Sequence, residues 1–190
     1  HLAGGLEGRS PHPLFDVPFY MAQRPALAEG ETPLEHYLRA GWIEGLSTHP
    51  LFDWAWYVDQ VEEEIGAPPI LHYLTLGWRR GLSPHPLFDA AWYLEQNPDV
   101  AGLGLEPLTH FVQAGGAEGR NPSPWFDTGH YLAARGDLGG GNPLIDYLQG
   151  GAWRISEVRP GYPNAAYLAS NPDLVRSGLT PLEHWARRAR

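Results

Sequence analysis

Residues 84–100 read Pro-His-Pro-Leu-Phe-Asp-Ala-Ala-Trp-Tyr-Leu-Glu-Gln-Asn-Pro-Asp-Val, and the fold turns on the fact that this string is written several times. Its centre, Pro86-Leu87-Phe88-Asp89, occurs upstream as Pro13-Leu14-Phe15-Asp16 and Pro50-Leu51-Phe52-Asp53. It occurs downstream as Pro124-Trp125-Phe126-Asp127 and degenerates to Gly161-Tyr162-Pro163. The steps from Phe15 to Phe52, Phe88 and Phe126 are 37, 36 and 38 residues. Five residues after each aromatic stands a tyrosine, Tyr20, Tyr57, Tyr93, Tyr131 or Tyr167. A second string, Pro33-Leu34-Glu35-His36-Tyr37-Leu38, returns at Pro69 to Leu74, Pro107 to Val112, Pro143 to Leu148 and Pro181 to Ala186. Self-similarity at such a period marks supersecondary units that bury their apolar faces against neighbours.

Each unit reads as two helices. Asp16, Asp53, Asp89 and Asp127 stand where a short carboxylate accepts from the unpaired amides of a first helical turn. In copies three and five the first helix meets Asn97-Pro98-Asp99 and Asn171-Pro172-Asp173, where proline ends one helix and suits the start of another turn. Copy two has Val61-Glu62-Glu63-Glu64 instead, which predicts a first helix one turn longer. The second helix opens on proline, and Thr32 with Glu35 and Thr180 with Glu183 form capping boxes. Gly41, Gly77, Gly115 and Gly151 are expected to be left-handed C-terminal caps, and Leu34, Tyr37 and Leu38 an apolar stripe. Helices of about eight residues are unstable alone, so they must be stacked. The expected fold is all-α: tandem two-helix repeats of about 37 residues in a short solenoid-like array. The boundaries are 1–9 (end of a preceding repeat), 10–46, 47–82, 83–120, 121–155 and 156–190, and the chain is expected to be an excised piece of a longer protein or one subunit of something that continues end to end.

Composition agrees with short elements and many turns: 43% hydrophobic residues, 18% charged, 23 glycines and 19 prolines. The net charge is −9, and all thirteen basic residues are arginine, with no broad basic face for nucleic acid. The absence of cysteine excludes disulfides, thiolate metal sites and a cysteine nucleophile. No apolar run is long enough for a membrane span.

The histidines His36, His72, His110 and His184, one per copy, invite a metal reading. Copy four carries Asp146 in that slot, and a slot that takes either residue is better explained as a hydrogen-bonding post. The same holds for His12, His49 and His85, replaced by Ser123. Calcium would need six to eight oxygens, so the Asp series is assigned to capping. No facing carboxylate pair or nucleophile beside an oriented base is recognisable, and Gly139-Gly140-Gly141 follows no strand and reads as a turn. Neither a catalytic residue nor a cofactor is expected. The repeated aromatics, Tyr20, Tyr57, Tyr93, Tyr131 and Tyr167 among them, are assigned to the core. Off the pattern stand Trp54, where other copies have Val17, Ala90, Thr128 and Asn164, and Trp42 and Trp78, where others have Gly5, Gly116 and Ala152. With Arg79 and Arg80 they form a candidate platform for sugar rings or a protein partner; local packing is the competing account.

The strings at 84–100, 107–111 and 116–120 resemble a bacterial repeat often attached to glycosyltransferases, found also beside sulfotransferase-like domains and in large secreted calcium-repeat proteins. Copies one to three resemble it most, while Pro163 and Asp146 depart from it. The resemblance implies polysaccharide or cell-surface assembly. The expected role is a non-catalytic interaction module scaffolding an attached glycosyltransferase or polysaccharide assembly, with head-to-tail self-association as a further contact. A carbohydrate-binding module and a repeat segment of a secreted surface protein are the alternatives. The expected compartment is the bacterial cytoplasm near the inner membrane, with a secreted or surface location as the alternative.

Overall fold

The computed structural model describes residues 10–63 and 65–189; the expectation for residues 1–9 lies outside them. Among the described residues there are twelve α-helices and no strand, only isolated bridges such as His49 to Phe52, so the chain is all-α. They divide into two compact units, one ending at His85 and one beginning at Pro86. The first holds α1 (Val17–Ala22), α2 (Pro33–His36), α3 (Trp54–Val58) and α4 (Pro69–Thr75). The second holds α5 (Ala90–Gln96), α6 (Pro98–Gly102), α7 (Pro107–His110), α8 (Thr128–Arg135), α9 (Pro143–Leu148), α10 (Asn164–Ser170), α11 (Leu174–Ser177) and α12 (Pro181–Arg188). None is long and apolar enough to cross a membrane.

Local chemistry explains the helix starts. Asp16, Asp53, Asp89 and Asp127 each accept from the amide three residues on, at 2.8 to 3.0 Å. Pro163 stands in the equivalent place before α10 and supplies no side-chain cap. Both capping boxes form, at Thr32 with Glu35 and Thr180 with Glu183. Glu106 and Asn142 cap α7 and α9 through two amides each.

Three expectations are corrected. The first helix of copy two is not longer: α3 ends at Val58. The Gln60 side-chain amide takes the Trp56 carbonyl that a continuing helix would use, at 2.9 Å, and reaches the Ser83 carbonyl at 2.7 Å, while its oxygen accepts the Ser83 N–H at 3.1 Å. Gln23 holds the Ser47 backbone in the same two-bond clamp. Second, Gly41, Gly77, Gly115 and Gly151 are not left-handed. The left-handed glycines come four residues on in copies one to three, at Gly45, Gly81 and Gly119, each with φ of 75 or 76°. The first series is glycine for a packing reason. A Cβ there would lie 2.0 to 2.1 Å from the hydroxyl of Tyr20, Tyr57, Tyr93 or Tyr131, respectively. Third, Leu38 is exposed at 45% while Tyr37 and His36 are buried. The helix widens into a π turn over Tyr37–Gly41 and turns the leucine outward.

Each of the first four copies closes on a cluster of three rings. In copy one, Phe15, Tyr20 and Tyr37 have centroids 5.2, 5.8 and 5.9 Å apart in tilted and edge-on arrangements. Phe52, Tyr57 and Tyr73 repeat it, as do Phe88, Tyr93 and Phe111, and Phe126, Tyr131 and Tyr147. Such pairs each contribute about 1 kcal/mol beyond the area they bury. In copy five Tyr162 packs on Tyr167 and Trp185, and Tyr167 is only half-buried.

Candidate functional site

The repeated titratable side chains pair with one another. Tyr20 shares a 2.7 Å hydrogen bond with His36 Nδ1; Tyr57 and His72, Tyr93 and His110, and Tyr167 and His184 repeat it at 2.6, 2.9 and 2.8 Å. In copy four Tyr131 donates to Asp146 at 2.5 Å, and Arg135 grips the same carboxylate at 3.0 and 3.1 Å. A carboxylate can only accept, so the tyrosine is the donor there. Burial pushes the Tyr20, Tyr57, Tyr93 and Tyr131 hydroxyls well above the usual phenol range, which suits a donor that keeps its proton. Among the described residues no group of three or more His, Asp and Glu is placed to hold a metal ion.

The second histidine series acts locally. His12 and His49 accept the N–H of Leu14 and Leu51 through Nδ1 at 3.1 Å. His49 is 3% exposed, and burial chiefly lowers its pKa to about 4, with His85 adding to the shift and Asp16 opposing it.

Of the five off-pattern residues, the structure brings two into one cleft. Trp42 and Trp54 line a cavity of about 350 Å3 with Ile43, Val58, Ile65, Pro69 and a single carboxylate, Glu63. Both tryptophans are half-buried, and one face of Trp54 rests on Gly45, where the missing Cβ leaves the ring room. No described residue accepts from either indole N–H. Ile43 is 67% exposed at the rim.

Trp78 does not line this cleft. Its indole donates to the Leu74 carbonyl at 3.1 Å, and the Arg79 guanidinium stacks 4.2 Å above its ring while donating to the Thr75 carbonyl. Arg80 reaches the cleft through an ion pair with Glu63, which holds that carboxylate below its usual pKa range. The sequence reading missed Ile43, Val58, Glu63, Ile65 and Pro69. Connector length carried no signal for them, because the step of 12 from Tyr57 to Pro69 recurs from Tyr131 to Pro143 in copy four.

A different pocket in the other unit, about 340 Å3, lies among Ser170, Asn171, Asp173, His184 and Arg188. Its polar groups are partly tied to one another, Arg188 donating to Asn171 at 3.2 Å and His184 bound to Tyr167. Comparison with family models, with characterised proteins and with solved structures finds no match for this chain.

Proposed function

We propose that the chain is a non-catalytic interaction module whose copies stack as a short solenoid-like array and scaffold a protein partner or an attached catalytic domain. Glycosyltransferase or surface-polysaccharide assembly, in the bacterial cytoplasm near the inner membrane, is the setting that the repeat's resemblance suggests. The observation that carries the reading is where the repeated polar groups go. The repeated Tyr, His and Asp side chains are engaged by one another or by helix amides, and a cleft in the first unit is walled mainly by Trp42, Trp54 and aliphatic side chains. Stacking is supported by bonds handed from copy to copy within each unit. The Asp16 amide donates to the Thr48 carbonyl at 2.8 Å, Asp53 to Pro84 at 2.9 Å and Asp89 to Pro122 at 3.1 Å. The Leu182 amide donates to the Tyr147 hydroxyl at 3.1 Å.

The test is light scattering of the full chain across a concentration series, with affinity capture beside it. Concentration-dependent assembly, head to tail, or a recovered partner that binds the purified chain supports the reading. A strict monomer at high concentration that captures nothing sinks it.

A carbohydrate-binding module is the second reading, favoured by the two indole N–H groups of Trp42 and Trp54 that have no acceptor among the described residues. Against it, sugar rings need several polar groups around the stacking face, and here a single carboxylate stands among walls that are otherwise aliphatic and aromatic. Tryptophan fluorescence titrated with a bacterial glycan panel decides it: a silent panel removes this reading.

A further inference from the structure

Resting on the protein-interaction reading, we infer that the Trp42–Trp54 cleft takes a basic side chain flanked by an aliphatic one, presented by a partner segment. The aliphatic half follows from what the other copies do with their own connectors. Seven residues after Tyr93 and Tyr167 stand Val100 and Leu174, carried by α6 and α11 and buried to 1% and 2% exposure. Copy two has neither the Asn-Pro-Asp turn nor the length to build such a helix, and the residue at that step in the sequence is a glutamate. Copy two, without such a buried side chain, has a cleft whose walls are the aliphatic Ile43, Val58, Ile65 and Pro69, whereas in copy five Leu174 itself lines a pocket walled mainly by polar side chains. An aliphatic side chain from outside removes those walls from water as Val100 and Leu174 are removed in their copies.

The basic half follows from charge. Glu63 is the one carboxylate in the lining; its Oε1 holds Arg80 and lies 3.9 Å from His72 Nε2, which shows that this carboxylate draws cations, a guanidinium among them. Two indole faces favour a cation at short range. At longer range, Asp59, Glu62, Glu63 and Glu64 make four carboxylates in six residues of a chain with net charge −9, a field that steers basic segments in and repels acidic ones.

The experiment is calorimetric titration of the full chain with two blocked peptides, Ala-Leu-Arg-Leu-Ala and Ala-Leu-Glu-Leu-Ala. The arginine peptide is expected to bind at least about tenfold more tightly than the glutamate peptide. Ile43→Asp, at an exposed position that the fold does not need, is expected to weaken it by about tenfold or more, and Glu63→Gln by several-fold. Equal affinity for the two peptides, no heat with either, or undiminished binding in Ile43→Asp overturns the inference. Oligosaccharide binding abolished by Ile43→Asp reassigns the cleft to a glycan, and self-association abolished by that change without peptide binding reassigns it to a second copy. Self-association or partner capture that persists while the peptides fail removes this inference and leaves the interaction reading standing; a monomer that captures nothing removes both.

Discussion

Replacing Gly115 by alanine tests the reason for the recurring glycine. The added Cβ would lie 2.1 Å from the Tyr93 hydroxyl, with His110 Nδ1 and a Phe111 ring carbon next at 3.3 and 3.4 Å. The hydroxyl must retreat by about 1 Å or more to reach ordinary contact, and its 2.9 Å bond to His110 then breaks. Overpacking costs roughly 1–3 kcal/mol, and an unpaired polar atom about 1–3 kcal/mol more. Alanine recovers about 0.5–1 kcal/mol of the backbone entropy that glycine loses. The net loss is about 1–5 kcal/mol. Tyr93→Phe alone loses the hydrogen bond, about 1–3 kcal/mol. In the double variant the clash disappears with the hydroxyl, so Gly115→Ala on the Tyr93→Phe background is close to neutral. The coupling between the two sites is then about 1–5 kcal/mol, outside the range of additivity. Urea unfolding of the four proteins, followed by far-ultraviolet circular dichroism, measures it. Additivity within about 0.5 kcal/mol would refute the steric account and return Gly115 to a purely conformational role.

Three further outcomes follow from the geometry. His49 is depressed to about pKa 4 in the folded state against about 6.5 unfolded, so the unfolded chain takes up the proton first as the solution is acidified; the stability this residue contributes above pH 6.5 is lost between there and pH 4, roughly 3 kcal/mol at most. Urea midpoints at pH 7 and 4.5 should therefore fall less in His49→Ser, which adopts the residue that copy four carries at Ser123, and an identical fall in both proteins would show that His49 is not the group responsible. Asp89→Ala removes the cap on the Trp92 amide and should cost about 1 kcal/mol in chemical denaturation; no loss would mean that water replaces the carboxylate. Gln60→Met breaks both bonds to the Ser83 backbone and should cost about 1–3 kcal/mol and expose the Ser83 amide to hydrogen exchange, and unchanged protection of that amide would contradict the clamp.

The helix starts were legible because a cap is a local bargain among four residues: Asp89 with Trp92, or Thr32 with Glu35, can be read without knowing the rest of the chain. What lay hidden was set by distant partners. Gly115 looks like a helix terminator until Tyr93, 22 residues earlier, is found lying where its Cβ would be. The early end of α3 depends on Gln60 reaching a backbone segment 23 residues on. The site divides in the same way. Comparing copies singled out Trp42 and Trp54 as residues that the repeat does not require, and those two line the cleft. Trp78 passed the same comparison yet spends its indole on its own helix. Ile43, Val58, Ile65 and Glu63 were invisible as a group, because they come from separate stretches that meet only in the folded chain and no motif links them.

The phenols at the centre of each copy have an optical consequence. Tyr20, Tyr37, Tyr57, Tyr93, Tyr131, Tyr147 and Tyr162, seven of the nine tyrosines, have hydroxyl pKa values raised by burial. The stability this contributes is whole below the ordinary phenol pKa of about 10 and drains away as the solution is made more alkaline. While the fold holds, these seven rings stay in the uncharged form and add nothing to the near-ultraviolet phenolate band. When base finally opens a unit, its rings ionise together, so the chain carries its own dye, switched on by the loss of the structure that the dye helps to build.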